Sequence, residues 1–204
     1  KEVIRYILWN MVYVEGGTAN LGDNNNYPVD VASFFINRYE VSQDEWYVIM
    51  GENPSNQHRR NYPVDQVNWF NAQRFTKKLS QLSGLPFRLP FEAEWEYAAR
   101  EGLKTKNFIY AGSNNAEQVA WFREKYYNTY VSKETGTKRP NELGLYDMSG
   151  NVYEWCMDWY DRKVPFTGNI APVICEKDTH KVLRGGSYYT CLLYTSPSPR
   201  DRSL

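Results

Sequence analysis

Gly144-Leu-Tyr-Asp-Met-Ser-Gly-Asn-Val-Tyr-Glu-Trp155 carries the most readable chemistry of the chain. The Gly150-Asn151 pair makes a turn, since glycine enters backbone conformations closed to other residues, and such a turn directs main-chain carbonyls outward. Asp147 and Glu154 stand on either side and add two hard oxygen donors. Oxygen is the ligand type that Ca²⁺ takes, in sets of six to eight at about 2.3–2.6 Å. The alternative is a metal-free turn whose Glu154 caps nearby backbone N–H groups.

Outward from that turn, the 204-residue chain is rich in aromatics, with 7 Trp and 17 Tyr. A core of flat rings whose N–H and O–H groups each need a partner suits a loop-rich fold. Trp69, Trp95, Trp155 and Trp159 are expected as core and hydrogen-bond anchors. The 24 Lys and Arg balance the 24 Asp and Glu, so no bulk field draws the chain to nucleic acid or a membrane surface. No run of eighteen apolar residues occurs, so no transmembrane segment is expected. The chain opens at Lys1 without a signal-peptide pattern. Cys156, Cys175 and Cys191 are too few and too widely spaced for a zinc knuckle or a complete disulfide framework. His58 and His180 have no acidic or thiol partner at metal spacing and read as surface residues.

The punctuation of the chain predicts a mixed arrangement. Val12 to Gly22 reads as two strand pieces around Gly16-Gly17, followed by a polar loop over 23–26, and Phe34 to Val41 as a further strand. Ser42 and Glu45 have capping-box spacing, and Gly51 stands where a left-handed residue ends a helix of about two turns. Ala72, Phe75, Leu79 and Leu82 recur at helical spacing before Gly84, predicting the longest amphipathic helix over 68–83. A third helix is expected from about Phe91 to Arg100, with Glu92, Glu94 and Glu96 on a solvated acidic face. Arg88 and Arg100 flank its aromatics and are expected to pair with carboxylates. Residues 101–142 lack a period and read as one irregular excursion, with a short strand at 119–122.

Six separated pieces occur in one order: Val14-Glu-Gly-Gly-Thr18, Tyr39-Glu-Val-Ser-Gln-Asp-Glu-Trp46, Tyr62-Pro-Val-Asp-Gln-Val-Asn-Trp69, Arg88-Leu-Pro-Phe-Glu-Ala-Glu-Trp-Glu-Tyr-Ala-Ala-Arg100, Gly144 to Trp155, and Leu183-Arg-Gly-Gly-Ser-Tyr188. Together they resemble the sulfatase-modifying factor family, which includes the formylglycine-generating enzymes. The resemblance implies an α+β, loop-rich fold of the C-type-lectin-like kind with little regular secondary structure, over a domain at 10–193. It also implies a Ca²⁺ site with ligands at Asp147, the carbonyls of Gly150 and Val152, and Glu154. A second calcium site of the family begins with Asn where Ala120 stands here, which sets the chain apart from that pattern. An extracytoplasmic location is slightly favoured.

The oxidase chemistry of that family uses two cysteine thiolates that bind Cu⁺ and activate O₂, soft ligands for a soft ion. They are arranged as Gly-Gly-Ser-(Trp or Tyr)-x-Cys with a second Cys five residues later. Here Cys191 falls one position late, which leaves it a weak catalytic candidate, and Ser196 occupies the position five residues on. The expected function is a non-catalytic binding or accessory domain for a protein or peptide ligand. The alternative is a formylglycine-generating oxidase whose catalytic C-terminus is missing. Residues 194–204 break from the pattern before them and read as a non-native tail, so the natural chain is expected to continue differently after about Cys191 or Leu193.

Overall fold

The computed structural model describes residues 1–22, 27–122, 131–160, 180–190 and the backbone of 201–202. In chain order, helix α1 (Glu2–Trp9) leads into strands β1 (Met11–Val14), β2 (Gly17–Leu21), β3 (Tyr27–Val31) and β4 (Phe34–Asn37). Helices α2 (Gln43–Met50), α3 (Trp69–Ser83), α4 (Glu92–Ala99) and the four-residue α5 (Ala116–Val119) follow, then strands β5 (Glu154–Trp159), β6 (Lys181–Arg184) and β7 (Asp201–Arg202). The strands form three small sheets with neighbour orders β1–β4, β2–β3 and β5–β6–β7, all antiparallel. This is an α+β fold with much loop. Among the described residues no helix is long and apolar enough to cross a membrane.

The caps read from the sequence hold. Ser42 and Glu45 make a complete capping box at the start of α2, and Gly51 ends it in the left-handed conformation. Gly84 ends α3 at φ 75°, and Asn68, not anticipated as a cap, accepts from the Asn71 N–H. Ala72, Phe75 and Leu79 are buried, whereas Leu82 is 57% exposed at the C-terminal end of the apolar stripe. Trp46 of α2 stacks on Phe75 of α3 at 5.1 Å, and Ile7 of α1 completes this cluster. Neither α1 nor β3 was expected. In β3 the alternation that buries Val29 and Val31 is compressed into five residues that begin Tyr27-Pro28. Strand β4 stops at Asn37, short of the Val41 end expected. In place of the strand expected at 119–122, the chain ends α5 at Val119, and Trp121 makes a single parallel bridge to Gly150.

Helix α4 corrects the expectation of an acidic solvated face, since all eight of its residues are buried. Glu92, Glu94 and Glu96 are each 1% exposed. Buried charge must be paired, and the cations come from elsewhere in the chain. Arg88 holds Glu94 through both terminal nitrogens at 2.7 Å. Arg100 Nε and Arg184 Nη2 both reach Glu96 at 2.8 Å, and Arg184 Nη1 lies 3.6 Å from Glu92. The internal pairing expected of Arg88 and Arg100 is present. The tryptophans also anchor as expected: the Trp69 and Trp155 indoles donate to the carbonyls of Cys156 and Val67 at 2.9 Å, and Trp95 is fully buried beside Cys156. These two indole bonds tie the 67–69 segment to β5, and so place β5 and the turn before it against the helices.

Candidate cation site and binding cleft

The Gly150-Asn151 turn is held by its backbone. Gly150 has φ 88°, and a Cβ there would lie 2.3 Å from the Trp121 carbonyl oxygen. Only glycine therefore permits the approach of Trp121. The Gly150 N–H donates to the Gly185 carbonyl and the Asn151 N–H to that of Trp121, each at 2.7 Å. Asn151 is fully buried with φ 57°, in the left-handed region that Asn tolerates better than most residues. Its side-chain Oδ1 accepts from the Lys133 N–H at 2.9 Å, and its Nδ2 donates to Glu40 Oε2 at 2.6 Å and the Lys133 carbonyl at 3.2 Å.

Around this turn stand three carboxylates, Glu40, Asp147 and Glu154. Glu40 Oε1 accepts the Val152 N–H at 3.0 Å. Asp147 Oδ2 accepts the Gly136 N–H at 2.7 Å, while Oδ1, on a side chain only 2% exposed, has no hydrogen-bond partner. Glu154 is the least covered of the three. Among the described residues no backbone N–H donates to it. The carboxylate that caps the turn is Glu40, which sequence reasoning passed over; it lies 111 residues from Asn151, and nothing in its local spacing marks it. The Val152 carbonyl and Glu154 Oε1 both face Gly185, at 3.6 and 3.8 Å from where its Cβ would stand.

The electrostatics follow from crowding acids away from water. Burial raises the Glu40 carboxyl well above its ordinary range, and the charges of Asp147 and Glu154 raise it further. Burial pushes Asp147 up to about 6, with the Gly136 N–H opposing. Glu154 rises to about 7, again by burial; the Trp95 indole opposes and Asp147 adds to the rise. The Trp95 N–H makes no well-formed hydrogen bond, so its opposition is weak beside burial.

An orphaned buried carboxyl oxygen, three acids whose burial disfavours their charge unless a cation is near and two carbonyls without a hydrogen-bond donor among the described residues fit a hard cation such as Ca²⁺. Among the described residues no three acidic, His or Cys side chains converge closely enough to hold a metal alone. A metal there would need main-chain oxygens as well, and the Gly150 and Val152 carbonyls would supply them. Ala120 is buried and offers no side-chain oxygen for a second site. Cys191 and Ser196 lie outside the described residues, as do the polar loop at 23–26 and most of the 194–204 segment.

Beside the turn opens a cleft of about 1300 Å³, walled by Phe34, Ile36, Trp46, Phe75 and Phe87 and reaching Glu40, Tyr153, Glu154, Trp155, Tyr188 and Tyr189. It is larger than the roughly 300–1,000 Å³ usual for small-molecule sites. Tyr189 is 59% exposed at its mouth. The loop that carries these tyrosines is pinned to the turn, because the Tyr188 N–H donates to the Asn151 carbonyl at 2.7 Å. Of the two histidines, His58 is exposed, and the main chain of His180 accepts from the Tyr160 N–H at 2.9 Å.

The family model of the sulfatase-modifying factor enzyme 1-like domain matches residues 5–203. The chain belongs to that family. It is 34% identical over 204 aligned positions to "Chaperone protein LppX" of Paenibacillus barcinonensis, covering 74% of this chain and 72% of that protein. It is 34% identical over 147 positions to the formylglycine-generating enzyme of Streptomyces coelicolor, covering 64% of this chain but 43% of the enzyme. The solved structure of Treponema denticola variable protein 1 superposes with a TM-score of 0.78 at 28% identity, covering 95% of this chain and 88% of that one. The fold expected from the six motifs is the fold found.

Proposed function

We propose that this member of the family is a non-catalytic binding or accessory domain that takes a protein or peptide ligand at the mouth of the cleft. The observation that carries the reading is the run after Gly-Gly-Ser, Tyr188-Tyr-Thr-Cys191, in which the thiol falls one position later than in the oxidase pattern. A thiol displaced by one position does not match the arrangement of soft ligands that holds Cu⁺ in that pattern. The cleft wall beside the turn includes the aromatic residues Tyr153, Trp155, Tyr188 and the exposed Tyr189. Tyrosines give large contact area at low conformational cost, which is why they dominate recognition surfaces. A relative named as a chaperone and a fold match named as a variable protein favour binding. The relative named as a formylglycine-generating enzyme is matched over less than half its length. Titration of Cu⁺ against a competing chelator should show no difference between the chain and Cys191→Ser. Tight binding lost in the variant would favour the oxidase reading.

The domain is further proposed to hold Ca²⁺ through Asp147, Glu154 and the carbonyls of Gly150 and Val152, with Glu40 supporting the turn from behind. A cation there would neutralise acids that otherwise repel one another. A ligand that binds only the folded state at a hundred times its Kd adds about 2.7 kcal/mol, so calcium should raise the thermal midpoint and chelator should lower it. Glu154→Gln, which keeps shape and loses charge, should remove most of that increment. A midpoint that is the same in calcium and chelator would end the calcium reading.

A further inference from the structure

Asn151 touches four separate segments. It binds Glu40 and Lys133 through its side chain, Trp121 through its N–H and Tyr188 through its carbonyl. Its neighbours on both sides belong to the cation site, and Gly150 also holds Gly185. Both ends of the 185–188 stretch are therefore bonded to the turn that presents the Gly150 and Val152 carbonyls. We propose that Asn151 is a positioning residue through which cation binding sets the conformation of the Tyr188–Tyr189 loop, so that the recognition surface is ordered by calcium. The inference rests on the calcium reading and deepens the binding reading.

The route is physical. A cation that takes the Gly150 and Val152 carbonyls with the unpartnered Asp147 Oδ1 fixes the Gly150–Asn151 and Val152–Tyr153 peptides, which bracket Asn151 and its Val152 neighbour. Glu40 accepts from both the Val152 N–H and Asn151 Nδ2, so the turn and the Asn151 side chain are clamped by one carboxylate. With the side chain clamped, the Asn151 carbonyl is fixed in place for the Tyr188 N–H at 2.7 Å. Without the cation, the turn is restrained by those hydrogen bonds alone. The loop then opens at lower cost, and opening cost is what amide exchange reads.

The test is amide hydrogen exchange at Tyr188, with CaCl₂ alone as the probe against chelator, on the chain and on Asn151→Gly. Glycine suits the positive φ of Asn151 and keeps its main-chain bonds while deleting those to Glu40 and Lys133. The thermal midpoint is followed in parallel. If opening of the loop breaks the cation site, exchange in the unmutated chain should slow up to about a hundredfold at a hundred times Kd, and at least about tenfold. In Asn151→Gly calcium should still raise the midpoint, but the Tyr188 amide should respond by less than about threefold. The proposal is overturned by a Tyr188 amide that ignores calcium while the midpoint rises, or by an Asn151→Gly variant that keeps the full response. A midpoint that ignores calcium removes the cation reading, and with it the proposal, and is read independently of the exchange. Should Asn151→Gly fail to fold, Asn151→Asp takes its place with the same outcomes, since Asp also tolerates the positive φ and loses the Nδ2 bonds to Glu40 and the Lys133 carbonyl.

Discussion

Two glycines with the same backbone conformation have different reasons for it. Gly51 has φ 86° with nothing within 4 Å of a built Cβ, whereas a Cβ on Gly150 would meet the Trp121 carbonyl at 2.3 Å. Gly51→Ala should therefore cost only the left-handed conformation, about 1–2 kcal/mol. Gly150→Ala adds a clash with backbone that cannot step aside, and urea unfolding should show a clearly larger loss; equal losses would contradict the close approach at the turn. Lys181 supplies a second test at this scale. Its ammonium donates to the Met157 carbonyl at 2.8 Å and lies over Trp69 and Trp159 at 4.1 and 3.8 Å. Burial pulls it from 10.5 down to about 8, with Asp158 opposing. The folded chain then binds fewer protons than the unfolded chain between about pH 8 and 10.5, so stability rises with pH across that window. Relative to Lys181→Met, the unmutated chain should gain stability from pH 8 to 10. A flat difference would mean that the ammonium is well solvated.

At the scale of elements, α4 is where charge is buried and where most is at stake. Arg184→Met would remove the buried guanidinium that reaches both Glu92 and Glu96, leaving Glu96 to Arg100, and removing one partner of such a set costs about 3–5 kcal/mol. Arg88 is 42% exposed beside Glu94, so solvent screens its loss, and Arg88→Met should cost clearly less by denaturant unfolding. The reverse order would contradict the pairing scheme. This helix also marks the limit of reading elements from sequence. Helices α2 and α3 were legible because Ser42, Glu45, Gly51 and Gly84 are local signals that act within one turn and the apolar repeat of α3 is local too. The burial of α4 was not, because three glutamates at alternate positions look solvated until Arg184, 88 residues from Glu96, folds over them. Strand β3 was hidden because Pro28 and Asp30, residue types that strands disfavour, interrupt its apolar positions.

Over the whole molecule, three small sheets and four packed helices hold one turn, one loop and one cleft in register. Six motifs in order made the fold legible, because each marks a place where backbone or buried charge admits few residues. The candidate site was legible only in part. Asp147, Gly150, Val152 and Glu154 lie within eight residues of sequence, whereas Glu40 and the loop at 185–190 meet them only through tertiary hydrogen bonds. The same scaffold could serve oxidation or recognition, and what separates them is the chemistry after Gly-Gly-Ser. The most direct measurement incubates the chain with a peptide carrying Cys-x-Pro-x-Arg, copper and oxygen, and follows the cysteine by mass spectrometry beside Cys191→Ser. Unmodified cysteine in both is the predicted result; formylglycine formed by the chain above the level of the variant would contradict it.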